Sequence, residues 1–451
     1  MKQPSSRSDG LLDALFTSPQ VEQELSDAAL LGAMLEVEAA LAQAQADAGV
    51  VPGAAAAAIS SACVNASFDL AELGAAAVDS GNPVVPLVRA IVAVVPESAK
   101  AWVHHGATSQ DVVDSALMLV AHRAGEVVLR DASAVAALCG ELADRHRDSV
   151  MLARTLGQAA APTTFGVKAA GWLVAVDSVA VRLRDVVESR LAVQLGGAAG
   201  TLGVLGDAGP RVVRLLAERL GLQAPVLPWH TDRQQILELA GALGGVVAAV
   251  GKIGLDVELL AQTGIDEVRE GGGPSHGGSS AMPHKQNPVD SVLVRSAAYR
   301  APGLVATLFA AAQQEHERAA GAWHAEWQPL RSLLSIAGGA VARTSVMVAG
   351  LDVRTDRMRS AVQAAGGLVM AEHLAAKLMP VLGRSAAQAL VGECCARAVE
   401  QGRDLRDVAK ETSEIGQLLS AAEVDEALDV GTGLGAVHAL IDAALAHLEA
   451  R

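Results

Sequence analysis

Apolar residues recur at helical spacing along most of the chain. Across 21–48, Leu31, Met34, Leu35, Leu41 and Ala42 fall on one stripe, and Gly49 and Pro52 end the run. From 64 to 103 the pattern is broken by Gly74, Gly81, Pro83, Pro86 and Pro96, which predicts short helices and loops. Residues 111–147 contain no Pro and carry the stripe Val112, Ala116, Leu119, Val127, Val135, Leu138 and Leu142. Further long helices are predicted over about 162–194, 232–262, 288–317 and 326–350. The helix over 232–262 is apolar on nearly every face between Val246 and Ile253. Helices of this length, apolar on more than one side, suit a long bundle buried again by other copies of the chain. After about 352 the helical stretches shorten and are split by Gly366, Pro380, Gly402 and Gly431. The pattern predicts an all-α chain of three domains: a small one over 1–108, a long-helix bundle over 109–350, and a small one over 351–451.

Composition narrows this. The chain has 451 residues, 51% of them hydrophobic but only 2% aromatic, which disfavours a β-rich fold. The formal charge of −15 argues against nucleic acid as a partner. Cys63, Cys139, Cys394 and Cys395 show no C-x-x-C spacing and are too few for a disulfide framework. The N-terminus has no apolar stretch of signal-peptide length. The longest apolar run, 239–251, is bounded by Glu238 and Lys252 and falls short of the ~20 residues that cross a bilayer. The expectation is a soluble, cytoplasmic protein with no membrane partner, its mean hydropathy of +0.32 reflecting buried helices or subunit interfaces.

One segment departs from the helical pattern. Residues 271–288 read GGGPSHGGSSAMPHKQNP. Its glycines let the backbone approach a ligand closely, and successive free N–H groups favour an anion. Ser279 and Ser280 add hydroxyls, Lys285 a positive charge, and Asn287 a group that both donates and accepts. A surface connector would need no such sequence.

The run SSAMPHKQNP resembles the GSSxMPxKxNP signature of the fumarase/aspartase superfamily. WVHHGATSQDVVDSAL (102–117) and ARTLGQAAAPTTFGVKAAG (153–171) resemble two further segments of the adenylosuccinate lyase branch, in the same order. The resemblance implies an all-α homotetramer with each active site assembled from three chains, acting by β-elimination or its reverse next to a carboxylate. It implies Ser279 as the base, which needs its alkoxide stabilised by loop N–H groups and Lys285. It also implies His104 as a catalytic residue, with Thr108, Ser109, Arg154, Thr155, Gln158, Arg233, Ser280, Met282, Asn287 and Arg318 as substrate contacts. Thr108 and Ser109 stand near a helix start, which favours an anion.

Departures from the family pattern point to the kind of reaction. Leu156 and Ala159 stand where bacterial adenylosuccinate lyases carry two histidines, the region that supplies the leaving-group acid. Cleaving a C–N bond to an amine needs that proton. Lactonisation of a muconate does not, because the nucleophile is a substrate carboxylate already ionised at neutral pH. Intramolecular attack then gains its rate from holding the reactive conformer. QLGGAAGTL (194–202), PWHTDR (228–233) and HERAAGAWHAEW (316–327) also resemble the muconate cycloisomerase branch. Gln286 replaces the usual Arg and removes one positive charge from the loop.

The expected substrate is a small tricarboxylate, held by local cations because the overall field is negative. Candidates are Lys285, Arg154, Arg233 and Arg318, with Lys168 and His104 in reserve; for the arginines an inter-helix ion pair is the competing reading. His105 reads as packing, His284 as site wall or loop packing, and His230 and His324 as candidates only. No H-E-x-x-H spacing supports a metal, and no cofactor is expected. Two alternatives stay open: an adenylosuccinate lyase-like C–N or C–O lyase, and a non-enzymatic structural protein, as some lens crystallins of the superfamily illustrate.

Overall fold

The computed structural model describes residues 10–273 and 276–450. Helices dominate it. In chain order they are α1 (Pro19–Leu25), α2 (Asp27–Asp47), α3 (Gly53–Asn65), α4 (Leu70–Ser80), α5 (Val84–Val94), α6 (Glu97–Lys100), α7 (Ser109–Arg145), α8 (Phe165–Ser189), α9 (Gly209–Leu220), α10 (Gln234–Ala261), α11 (Val289–Ala311) and α12 (Ala322–Ala349). The C-terminal part adds α13 (Thr355–Ala364), α14 (Ala371–Leu382), α15 (Arg384–Gln401), α16 (Leu405–Glu411), α17 (Ser413–Gly416), α18 (Ala421–Ala427) and α19 (Val437–Glu449). Besides short 3-10 turns, the described residues form two small antiparallel pairs: β1 (Val150–Thr155) with β2 (Gln158–Thr164), and β3 (Val268–Arg269) with β4 (Asp352–Val353). The helical class expected from the pattern holds.

The chain divides into two compact units of three segments each. The first takes the chain up to Ser133 with Ser178–Gly251 and Leu293–Thr344; the second takes Ala134–Asp177, Lys252–Val292 and the chain from Ser345 onward. The long helices α7, α8, α10, α11 and α12 each supply residues to both units.

In the first unit α2 packs on α3 and α9. Leu31, Met34, Leu41 and Ala42 of α2 are buried as the stripe predicts, while Leu35 is half-buried and Val37, outside the predicted stripe, is buried; so are Glu38 and Gln45. The predicted single helix over 21–48 is broken at Ser26. Its ψ of 157° leaves the helical region and its hydroxyl accepts the Ala29 N–H at 3.0 Å, so it caps α2 rather than continuing α1. Residues 110–121 of α7 are buried on every side.

In the second unit Leu152 of β1 joins a core of Val369, Met370, Leu374, Leu378, Val391, Cys394, Leu405 and Ile415. The helix predicted from about 162 starts later, at Phe165. The preceding residues form β2 instead, because Thr163 and Thr164 favour extended backbone. The Thr164 hydroxyl then caps α8 by accepting from Val167 N–H at 3.2 Å.

Helices α10 and α12 run 28 residues each and are long and apolar enough to cross a bilayer by length and composition. The charged residues that end the apolar run do not end the helix: Glu238 and Lys252 both lie within α10. Over half of each apolar window is buried inside this single chain, 56% in α10 and 67% in α12.

Candidate active site

The predicted site residues fall into two groups, one in each compact unit. In the first unit they gather around the start of α7. The Asp111 carboxylate accepts N–H bonds from Thr108 at 2.9 Å, Gly196 at 3.0 Å and Gly197 at 2.9 Å. His230 Nε2 lies 2.7 Å from the same carboxylate. One buried acid therefore ties the 194–202 and 228–233 segments to the helix start. Neither the Thr108 nor the Ser109 hydroxyl is engaged by the described residues, so both stand ready at a helix N-terminus that favours anions.

His104 precedes this helix in a left-handed backbone conformation, φ +57°, uncommon for a residue with a side chain. Its Nδ1 lies 2.6 Å from Glu38 Oε1. Burial alone lowers the His104 pKa. The charge and hydrogen bond of Glu38, helped by Asp111, outweigh that and raise it above the usual imidazole value.

Arg318 donates to Gln110 Oε1 at 3.1 Å and to the carbonyls of Gly197 and Ala198 at 3.2 and 2.8 Å. Among the described residues no carboxylate pairs with it, so its positive charge stays uncompensated beside the start of α7.

Arg233 is placed differently. Its side chain is 1% exposed and forks onto Asp114 (2.7 and 3.1 Å) and Glu326 (2.6 and 3.1 Å), while the ring of Trp229 stacks 4.5 Å from its centre. Gln110, Trp323 and Gln194 also donate to Asp114, at 3.1, 2.9 and 3.4 Å. Every guanidinium nitrogen has a protein partner, which leaves no donor for a substrate. Burial pushes the Glu326 pKa up, against the pull of Arg233.

In the second unit β1 and β2 form a two-residue hairpin whose turn residues, Leu156 and Gly157, have φ of +50° and +79°. Positive φ at both positions is the type I′ geometry that suits the strand twist. Leu156 is fully exposed at the tip, flanked by exposed Thr155 and Gln158. A bulge between Ala153 and Arg154 re-aims Arg154. Its guanidinium meets Glu267 at 2.9 and 2.8 Å, with the Glu267 side chain fully buried. Arg154 is thus an internal ion pair. Lys168, in the first turn of α8, makes no hydrogen bond or ion pair with the described residues, and burial lowers its pKa.

The signature loop closes on itself. Gly278 and Gln286 form an antiparallel bridge, and Asn287 donates from its backbone N–H and its Nδ2 to the Gly277 carbonyl at 2.8 and 2.9 Å. Gly277 has φ +69°, and a Cβ there would collide with the Asn287 carbonyl oxygen, so only glycine fits. Within the loop Ser279 Oγ accepts N–H bonds from Met282 at 3.1 Å and Ala281 at 3.3 Å. Two dipoles aimed at this oxygen stabilise negative charge on it. Ser280, Met282 and Lys285 are exposed along the same loop.

Glu270, His276 and Asp290 bring one ligand atom each within 4.8 Å of one another, close enough for a cation. Glu270 is already engaged, accepting the N–H groups of Asp290 and Ser291 at 3.0 and 2.7 Å and so capping α11. His105 stacks edge-on against Trp102, and His324 packs among Trp323 and Trp327, so both serve packing. Sequence reasoning passed over Glu38, Asp111, Asp114, Glu267 and Glu326. For Glu38 a signal was present: it interrupts the apolar stripe of α2.

A family model described as lyase matches residues 13–303, and one described as the adenylosuccinate lyase C-terminus matches 367–444. The chain belongs to this lyase family, within the fumarase/aspartase superfamily. Among individual relatives it is 44% identical to the 3-carboxy-cis,cis-muconate cycloisomerase of Pseudomonas aeruginosa, covering 97% of this chain and 96% of that one. It is also 44% identical to the nitrosuccinate lyase of Streptomyces davaonensis, covering 97% and 94%. Among solved structures it matches the 3-carboxy-cis,cis-muconate lactonizing enzyme of Pseudomonas putida at 40% identity with a TM-score of 0.91, covering 97% of this chain and 99% of that one.

Proposed function

We propose that the chain is a cycloisomerase that converts 3-carboxy-cis,cis-muconate to 4-carboxymuconolactone, a step of aromatic catabolism. The carrying observation is the pairing of an intact base loop with a hairpin that offers no acid: Ser279 is held by two N–H donors, while Leu156 and Ala159 occupy the positions where a leaving-group acid is expected. One substrate carboxylate adds to the double bond within the same molecule. The carbon beside a second carboxylate then takes up one proton, delivered from Ser279 Oγ. The Ala281 and Met282 N–H groups and the charge of Lys285 carry the resulting alkoxide until it is reprotonated. Arg318, His104 and the free hydroxyls of Thr108 and Ser109 hold substrate carboxylates, with Thr155, Gln158, Ser280, Met282 and Asn287 as further contacts. Arg233 and Arg154, occupied by internal carboxylates, are left out of this set. We assign the enzyme no cofactor, place it in the cytoplasm, and read it as a homotetramer whose sites draw on three chains.

A second reading rests on one further observation. The missing histidines weigh only against leaving groups that need a proton. A nitro-substituted succinate would lose nitrite, an anion stable at neutral pH, so Leu156 and Ala159 fit that elimination equally well, and the 44% identity to a nitrosuccinate lyase favours it. An ultraviolet assay with 3-carboxy-cis,cis-muconate, nitrosuccinate and adenylosuccinate in parallel separates the cases. Loss of diene absorbance with the muconate alone supports the cycloisomerase. Release of nitrite and fumarate from nitrosuccinate alone establishes the second reading. Cleavage of adenylosuccinate would overturn the argument from Leu156 and Ala159.

A further inference from the structure

Helix α2 carries two buried polar side chains on its core face, Glu38 and Gln45, each about 1% exposed. They are seven residues apart and so lie on one side of the helix. Both are directed at the same short segment. Glu38 Oε1 lies 2.6 Å from His104 Nδ1, and Gln45 Nε2 donates to the His105 carbonyl at 2.5 Å. His104 keeps its left-handed backbone between these two anchors.

The second Glu38 oxygen, Oε2, is buried with no hydrogen-bond partner. A buried carboxylate with a single partner is a costly arrangement, and its counter-charge has to come from that partner. Such local violations of packing rules concentrate at functional sites. The His104 side chain is 17% exposed, and its Nε2 is unengaged by the described residues.

We propose that Glu38 is a positioning residue for His104: its carboxylate fixes the ring and favours the doubly protonated form, so that Nε2–H offers a charged hydrogen bond to a substrate carboxylate. No covalent bond is made or broken at His104 in this role. The proposal deepens the functional reading above and rests on it for the identity of the carboxylate, but not for the dyad itself.

The groups facing the pair come from several elements. Cys63 of α3 is neutral, its thiol pushed up to about 12 by burial and by Glu38. Asp111 of α7 supports the imidazolium but is shared with His230 and three backbone N–H groups. Among the described residues Glu38 is the one carboxylate in direct contact with the His104 ring.

The test is histidine titration by NMR in the full-length protein without substrate, with His104→Asn used to assign the resonance, alongside the pH dependence of kcat/KM. The isosteric Glu38→Gln keeps a hydrogen bond and removes the charge. The His104 midpoint is expected to fall below the ordinary imidazole value once only burial acts on it, so that KM rises about tenfold at pH values where the wild-type ring is still charged and the variant ring is not. Glu38→Asp, which keeps the charge, is expected to restore part of the shift. A midpoint unmoved in Glu38→Gln would overturn the proposal. So would a loss of kcat/KM that is equal at every pH. If the wild type turns over none of the tested substrates, the functional reading fails while the titration still decides the dyad.

Discussion

The buried Arg233 offers the sharpest separation of structural from substrate-binding roles. Arg233→Met keeps much of the volume and removes the charge. Asp114 and Glu326, 1% and 2% exposed in their side chains, then face each other without a cation. Breaking a buried ion pair from one side costs about 3–5 kcal/mol, because the remaining charge is left uncompensated. Two features set the size here. Asp114 keeps the Trp323 and Gln110 donors and Glu326 keeps Gln314, which holds the loss toward the lower end. Against that, both acids lose their cation at once. The variant can also escape by protonating Glu326, whose pKa burial already raises and Arg233 partly restrains. Its deficit therefore has a definite sign with pH. A carboxyl with a folded pKa above its unfolded value costs stability above that folded pKa, and the cost is relieved as pH falls toward the unfolded value. Urea unfolding at equal chain concentrations is expected to show a loss of about 3–5 kcal/mol at pH 8 that shrinks toward pH 5. Where the variant remains folded, KM is expected to change less than about threefold, because no guanidinium donor is free for substrate. A stability loss below about 1 kcal/mol, or a large rise in KM with stability intact, would refute the reasoning.

Further outcomes follow from the same geometry. Ser279→Ala is expected to lower kcat by roughly 10²–10⁴-fold with an unchanged unfolding midpoint; retention of full activity would remove Ser279 from the mechanism. Gly277→Ala forces a Cβ onto the Asn287 carbonyl at positive φ, so the loop should lose its closure. Activity should drop at least about tenfold while far-ultraviolet circular dichroism is unchanged, and wild-type kinetics would contradict the loop geometry. Cys63 and Cys139 are buried, with pKa values pushed up to about 12, so in the native protein only the half-buried Cys395 should react measurably with a thiol reagent at pH 8. Fast labelling of two or more thiols per chain would refute this.

The periodicity of apolar residues already determined the helical class, the run of long helices and the short C-terminal ones. Each is a local property of which side of a 3.6-residue turn is oily. The loop from Gly271 to Pro288 was legible for a similar reason, since glycines, a paired serine and a lysine in one short stretch have few structural uses. Elsewhere local pattern was insufficient. Ser26 reads as a tolerable helix residue, yet its hydroxyl serves better as a cap, and one predicted helix became two. The 162–164 stretch looked like the head of a helix until pairing with β1 satisfied its backbone. Arg154, Arg233 and Arg318 are the same residue type in sequence. Only tertiary structure showed that two are occupied by buried carboxylates and the third is left with carbonyls alone. The partners come from 113 residues away for Arg154 and from 119 and 93 residues away for Arg233. Charge compensation is set by distance in space, which no spacing along the chain encodes. Glu38 shows both halves: its place on the apolar stripe could be read from the sequence, but the histidine it serves, 66 residues away, was decided by the fold.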